Sequence, residues 1–552
     1  MFRSAHLDPF CRENLPPPAQ WPDLLVREAG LDYPERLNVA SELVTRHILA
    51  GNGERAAIVG AAGTWSYSAL EEKINRIANV LVKDLGMVPG NRVLLRAPNN
   101  PMLVAAYLAI IKAGGVAVAT MPLLRARELA YPIRKAKIHL ALCDHRLTEE
   151  LAEAQKHEPE LRRILAFGNG ELEALMEKPG YADFTAVDTA QDDVCLIGFT
   201  SGTTGEPKGT MHFHRDLLAI CDCYGARVLK ASPDDRFIGS PPLAFTFGLG
   251  GLVLFPLRIG AAGILIEKAG PPDLLAAISE HRASVVFTAP TAYRAMLDKF
   301  PAEGLPSLRI CVSAGETLPK ATFEAWKAAT GIELMDGIGA TEMLHIFIAA
   351  PRGAIRPGAT GIPVPGYEAR IIDENGQPVP DGTPGRLSMR GPTGCRYLAD
   401  ERQTKYVLDG WNVSGDTYIR DADGYFWYQA RSDDMIISAG YNIAGPEVEA
   451  SLLAHPAVAE CAAEVDFLPA GGVPDAERGM IVKAYIVLRP GHAADQAMVK
   501  ALQDYVKADI APFKYPRQIA FVETLPKTQT GKLQRFALRE QAAEEYRQAK
   551  AG

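Results

Sequence analysis

From residue 56 onward the chain repeats one phrase: a short apolar run, then a stretch long enough for a helix. Ala56–Gly60 reads as a strand, followed by a turn at Gly63. Ser68 with Glu71 reads as a capping box ahead of the periodic Ile74, Ile77, Val80 and Leu81. Val93–Arg96 is strand-like again, and Met102–Ala113 is a helix stopped at Gly114 and Gly115. Val116–Ala119 and His139–Cys143 continue the pattern, which returns at Val194–Phe199, Gly263–Glu267, Ser284–Phe287, Leu308–Ser313 and Ile332–Met335. Strands spaced by helix-length segments are joined by crossovers, so the expected body is α/β with mostly parallel sheets.

The texture changes twice. From Gly353 to about Tyr428, short β-type runs are divided by turns such as Glu374-Asn375-Gly376 and Asp381-Gly382, as in a small β subdomain. After Arg431-Ser432-Asp433-Asp434 a new unit starts, with a helix near Pro446–Leu453, strands near Met480–Leu488 and Gln518–Val522, and a helix at Gln496–Asp509. The expected division is a large N-terminal domain over 1–432 and a smaller, mobile α+β domain over 433–552.

Apolar residues make up 47% and charged residues 22%, which excludes a disordered or fibrous chain. A net charge of −8 argues against binding nucleic acid or an anionic membrane surface. Met1–Asp8 has no apolar core of the secretory kind. The uncharged run Phe237–Leu257 could span a bilayer by length alone. Its three prolines and four glycines make a buried sheet-and-loop segment the better reading. Eight scattered cysteines fit a reducing, cytoplasmic setting, and the Cys221/Cys223 pair reads as buried thiols rather than metal ligands.

The sharpest chemical signal is the run from Thr200 through Ser201, Gly202, Thr203, Thr204, Gly205, Glu206, Pro207 and Lys208 to Gly209 and Thr210, directly after a strand. Glycines let a backbone approach an anion, hydroxyls donate to it, and Lys208 adds charge, so a phosphate loop is the physical reading. It is not the common NTPase loop, since Pro207 stands where the second glycine belongs. The dinucleotide fingerprint fails too: Gly248 and Gly250 are followed by Val253 where the third glycine should be.

This loop resembles the phosphate loop of the adenylate-forming superfamily, which includes acyl- and aryl-CoA synthetases, adenylation domains and luciferases. Four further segments match in the same order: Gly339-Ala340-Thr341-Glu342, Ser414-Gly415-Asp416, Arg431-Ser432-Asp433-Asp434, and the glycine-lysine loop from Pro526 to Arg535 that holds Lys532. The resemblance implies ATP, Mg²⁺ and coenzyme A as cofactors and cosubstrates. It makes Lys532, Thr341 and Glu342 catalytic, with Glu342 a Mg²⁺ ligand. Asp416 and Arg431 would hold the ribose. The loop Ser313-Ala314-Gly315-Glu316 and the stretch Asp336-Gly337-Ile338 would hold adenine. Ile338 replaces the aromatic residue usual there, so the base would meet an aliphatic wall. Asp433 would be the hinge, and Gly440 with Tyr441 would face the coenzyme A tunnel.

Within that superfamily, the stretch from Asp336 to His345, Ile346 and Phe347 resembles benzoate-type aryl-CoA ligases, and the N-terminal stretch resembles 2-aminobenzoate-CoA ligases. The resemblance places Phe245, Thr246, Phe247, Phe255, Ala340 and His345 around the acyl group. Aromatic walls with one polar group suit a planar ring. The expected partner is a small aromatic carboxylate, and a homodimer is compatible with the family. Three alternatives stay open: a stand-alone adenylation enzyme serving a carrier protein, a ligase for another cyclic or medium-chain acid, and a non-catalytic nucleotide binder.

Overall fold

The computed structural model describes residues 1–200, 206–302, 304–316, 318, 320–431, 435–438, 441–467, 480–526 and 538. It has two compact units.

The larger unit holds nearly everything before residue 431 and contains three sheets. One has six strands, in the order Arg163–Phe167, Leu140–Asp144, Arg92–Arg96, Val116–Thr120, Val194–Thr200, Lys208–Phe213. All neighbours are parallel except the last pair, a hairpin. The second has nine strands and a parallel centre running Leu334–Gly339, Ile310–Ala314, Val285–Thr288, Arg236–Gly239, Ala262–Ile264, Ala56–Gly60. The third is the small antiparallel sheet of Glu368–Ile372, Gly385–Arg390, Val407–Leu408 and Trp411–Arg420, joined by Phe426–Arg431. The expected α/β body with mostly parallel sheets and a β subdomain is what the chain forms.

Helix Pro101–Lys112 illustrates why. Asn100 caps it by accepting the Leu103 N–H at 2.9 Å, Pro101 supplies a preset φ at the first turn, and Gly114 ends it at φ +74°. Its residues Leu103 to Lys112 are all buried. The one charge among them, Lys112, is paired with Glu71 and donates to Asn75 Oδ1 at 2.6 Å.

Two local expectations need correction. The cap of helix Tyr67–Asn79 is Ser66, whose hydroxyl accepts the Ala69 N–H at 3.2 Å. Ser68 lies inside the helix, and Glu71 is taken by Lys112 and by the Thr45 hydroxyl at 2.9 Å, so no capping box forms. The run Phe237–Leu257 is not sheet and loop throughout. After the strand Arg236–Gly239, residues Thr246–Leu249, Gly250–Leu254 and Phe255–Ile259 form one helical stretch with a π turn in its middle. Its glycines are places of close packing rather than breaks. Among the described residues no helix is long and apolar enough to cross a membrane.

The smaller unit is α+β. Val458–Phe467, Met480–Leu488 and Gln518–Phe521 form its sheet, antiparallel then parallel, packed by helices Gly445–Ala454 and Gln496–Asp509. Met435–Ser438 and Tyr441–Ala444 form a separate hairpin. Ile436, Ile443, Val448, Val482, Ile486, Leu502 and Val506 make one core.

Candidate active site

In the larger unit the predicted residues gather at the carboxyl ends of parallel strands, where open α/β sheets bind their ligands. Thr200 and Lys208 are direct partners at the mouth of the hairpin that carries the phosphate loop. The loop residues Ser201, Gly202, Thr203 and Thr204 lie outside the described residues, as do Lys532, Asp433 and Gly440.

Lys208 Nζ lies 3.6 Å from Glu342 Oε1, and the Tyr397 hydroxyl donates to the same oxygen at 2.5 Å. Lys208 also stands 5.0 Å from the Tyr397 ring centre and 5.7 Å from that of Tyr406. No motif announced Tyr397 or Tyr406. The segment around Tyr397 runs beside the strand Lys208–Phe213, with Leu398 N donating to Gly209 O and Met211 N to Arg396 O, both at 2.8 Å. Gln403 locks it in place: its side-chain oxygen accepts the Tyr397 N–H at 2.9 Å, and its amide donates to Gln20 O at 2.8 Å.

Behind this layer Arg396 and Asp216 form a fully buried ion pair. The Arg396 guanidinium lies 4.0 Å from the Phe213 ring centre, and Asp216 accepts the Phe213 N–H at 2.9 Å. Burial alone would lift the Asp216 carboxyl, but Arg396 holds it below the usual range.

Thr341 and Glu342 sit in a short 3-10 turn, Thr341–Met343, between two antiparallel strands. Leu344 follows at φ +70°, a left-handed value that only a well-braced non-glycine residue adopts. Beyond the reversal, Glu342 stands by Lys208 and His345 packs among aromatic side chains. A Cβ at Gly198 would stand 2.8 Å from Thr341 Cγ2 and 4.0 Å from Thr246 Cγ2. Only glycine lets this strand come so close, and it brings the two threonines together over one residue.

On the adenine side Ser313 and Asp336 are register partners on adjacent parallel strands, as are Ala314 and Gly337. Burial pushes the Asp336 carboxyl up to about 8, against the pull of the Ser313 hydroxyl and the Gly337 N–H. Ser313 Oγ and Asp336 Oδ1 nonetheless lack hydrogen-bond geometry with any described residue. Gly315 takes φ +92°, and Glu316 accepts the Thr291 N–H and hydroxyl, each at 3.3 Å. Ile338 is half-buried. Asp416 donates its backbone N–H to Ser414 Oγ at 3.1 Å. Burial, then the Asp416 carboxylate, holds the Tyr418 hydroxyl well above the phenol range. The backbone of Arg431 ends the strand Phe426–Arg431. In the smaller unit Tyr441 stacks on Phe513, with ring centres 4.3 Å apart.

His345 is 2% exposed and ringed by aromatic side chains. Phe255 is 4.6 Å away between ring centres, Tyr224 5.5 Å, Phe247 5.7 Å and Phe287 6.3 Å. A Cβ at Gly250 would come within 2.4 Å of the imidazole. Burial drives the His345 pKa down to about 3, offset slightly by the Phe247 backbone, so the ring is neutral at physiological pH. Ala340 is half-buried against this core. Phe245 stands 39% exposed just before helix Thr246–Leu249, outside the set of rings packed on His345. Tyr224 and Phe287 pack on His345 as well. Both sit at ordinary core spacing in the sequence, so nothing there marked them.

Comparison with known proteins agrees with this geometry. A family model described as AMP-binding enzyme matches residues 45–397, and one described as AMP-binding enzyme C-terminal domain matches 447–532. The chain is 37% identical to a benzoate–CoA ligase of Thauera aromatica, over 92% of this chain and 97% of that one. A crystal structure of the anthranilate CoA ligase AuaEII with anthranoyl-AMP has a TM-score of 0.72 and 34% identity, covering 94% of this chain and 99% of that one. An amide bond synthetase from Marinactinospora thermotolerans has a TM-score of 0.81 and 27% identity, covering 91% and 99%. With one family model matching more than half of the chain and a second matching its C-terminal part, the protein belongs to the AMP-binding enzyme family and is an acid–thiol ligase of the adenylate-forming kind.

Proposed function

We propose that the protein is an ATP-dependent aryl-CoA ligase acting on benzoate or 2-aminobenzoate in the cytoplasm. The observation that carries this reading is the cluster of aromatic rings packed around His345, with Thr246 and Thr341 both near Gly198. Walls made of aromatic rings suit a planar aromatic acid better than a flexible acyl chain. The benzoate ligase and the anthranoyl-AMP complex among its relatives support the same class. The eight cysteines, free and buried, fit a reducing compartment.

In the first step a carboxylate oxygen attacks the α-phosphorus of ATP, forming the acyl-adenylate and releasing pyrophosphate. In the second the coenzyme A thiolate attacks the acyl carbon, forming the thioester and releasing AMP. Lys208 and the loop hydroxyls bind phosphate, and Thr341 donates to the α-phosphate. Asp416 and Arg431 orient the ribose, and Ser313 to Glu316 with Asp336 to Ile338 frame the base. Lys532, carried by the C-terminal domain, stabilises charge in the first step. That domain then turns about Asp433 and brings Gly440 and Tyr441 to the thiol.

The residues present fit Mg²⁺. Glu342 offers a carboxylate, and Thr200 Oγ1 is buried with no hydrogen-bond partner among the described residues. Among the described residues no group of three acidic, His or Cys ligands comes together, as suits an ion that takes one or two protein oxygens and completes its shell with phosphate and water. When bound, the ion would offset phosphate charge.

The test is an acid panel assayed for coenzyme A-dependent AMP release. Benzoate and 2-aminobenzoate are expected to exceed octanoate and palmitate in kcat/KM by at least about 100-fold, since each misplaced methylene costs roughly 1–3 kcal/mol. Phe255→Ala should narrow that gap by removing one wall of the ring cluster. Turnover of long-chain acids with none of benzoates would sink the aryl reading and leave the ligase class standing. The likeness to an amide bond synthetase supports a second reading, in which an amine takes the acyl group in place of a thiol. Supplying an amine and coenzyme A in competition separates the two.

A further inference from the structure

The ring cluster around His345 holds polar atoms that no described residue bonds in good geometry. The Tyr224 hydroxyl and both ring nitrogens of His345 are buried, and none meets hydrogen-bond geometry with a described residue, although the Phe247 backbone lies near the imidazole. Orphaned polar atoms inside a folded protein are rare and costly, so several in one apolar space point to a group that is not part of the chain.

Tyr224 is placed with some care. It lies in the π-helical stretch Cys221–Leu229, where an extra residue per turn re-aims side chains. Its ring is 5.5 Å from His345 and 5.7 Å from Phe255. The next residue, Gly225, packs against the Phe255 ring, which a Cβ there would meet at ordinary contact distance, 3.4 Å. The packing uses only the ring of Tyr224. A phenylalanine would fill the same space, so the hydroxyl is surplus to the core.

The chemistry of the pair defines what it can hold. Burial, with the Asp336 carboxylate nearby, keeps the Tyr224 hydroxyl protonated, and burial keeps His345 neutral. Together they present a hydroxyl that donates or accepts, one imidazole N–H and one imidazole lone pair. A small neutral group that both donates and accepts satisfies them. A charged substituent would have to shed its water among aromatic rings. We infer that Tyr224 is a specificity-determining residue, its hydroxyl forming with the His345 imidazole a hydrogen-bonding seat for one uncharged amino or hydroxyl substituent on the ring of the acid. This rests on the aryl-acid reading above.

The experiment compares the full-length protein with its Tyr224→Phe variant. It measures kcat/KM for benzoate, 2-aminobenzoate and the three hydroxybenzoates, KM for ATP, and the thermal midpoint without ligands. The ratio of kcat/KM for the preferred substituted acid to that for benzoate should fall by at least about tenfold, as when a site built to bond a substrate OH or NH loses its partner. The midpoint should not fall, because no protein hydrogen bond is lost. An equal loss for benzoate and the substituted acids would overturn the inference. So would a rise in the KM for ATP as large as the loss in acid selectivity, which would put the hydroxyl on the nucleotide side. A lower midpoint would overturn it as well, by showing a structural role. Preference of the wild-type protein for 2-(aminomethyl)benzoate, a cation, would contradict an uncharged seat. If the wild-type protein turns over aliphatic acids and no benzoate, the aryl reading fails and takes this inference with it. If benzoates are turned over and the ratio is unmoved, only the role of Tyr224 fails.

Discussion

Replacing Lys532 with alanine is expected to slow formation of the acyl-adenylate by about 100- to 1,000-fold, the usual loss when one preorganised charge is taken from a developing oxyanion. The same variant, supplied with ready-made aryl-adenylate, should make the thioester at close to the wild-type rate. The asymmetry follows from what each step does to charge. In the first, a carboxylate approaches a triphosphate, and two negative groups meet where a cation between them is worth most. In the second, a thiol displaces AMP from a neutral acyl carbon, and that cation has little to oppose. Single-turnover measurement of each half-reaction checks this. Equal losses in both would mean that Lys532 holds the domain or the nucleotide rather than the first transition state.

The second large effect concerns stability. Arg396→Ala should destabilise the larger unit by about 3–5 kcal/mol, because it strands the fully buried Asp216 carboxylate without its partner. The loss should depend on pH. In the wild-type protein the Asp216 pKa lies below the usual carboxylate value, so the pair's contribution is present at neutral pH and fades only in acid. In the variant, burial without Arg396 raises that pKa. The folded state then binds a proton that the unfolded state does not, and stability falls as pH rises. The deficit relative to wild type should therefore be larger at pH 8 than at pH 5 in denaturant titrations. Adding Asp216→Asn to Arg396→Met should recover most of it, since the amide oxygen still accepts the Phe213 N–H and no charge remains buried. A deficit independent of pH would show that Arg396 matters for its packing on Phe213 instead.

The fold was legible wherever period and punctuation agreed. The strand Met480–Leu488 and the helix Gln496–Asp509 stand where apolar periodicity places them. The body of parallel strands follows from their spacing. What misled was local chemistry with two readings. Ser66 and Ser68 are both good caps, and what decides between them is the strand Gly63–Ser66, which holds Ser66 extended and starts the helix one residue later. Prolines and glycines in Phe237–Leu257 looked like breaks. They are compatible with a helix because Pro256 follows directly on the π turn Gly250–Leu254 and Gly250 and Gly251 pack closely on the rings of His345 and Phe287. Among site residues, those within compact motifs could be named: Lys208, Thr341, Glu342, Asp416. Tyr397 reaches Glu342 across 55 positions, and Tyr224 reaches His345 from a helix of ordinary core pattern. Such partners are fixed by tertiary packing, which no short spacing encodes.

The central claim is that this site joins an aromatic acid to a thiol through an adenylate. Its most direct test is a product balance with benzoate or 2-aminobenzoate, ATP and coenzyme A, following nucleotides and thioester together by chromatography and mass. The account predicts one AMP, one pyrophosphate and one aryl-CoA for each ATP consumed, with aryl-adenylate accumulating when coenzyme A is withheld. ADP and phosphate in place of AMP and pyrophosphate, or AMP released with no thioester formed, would contradict it.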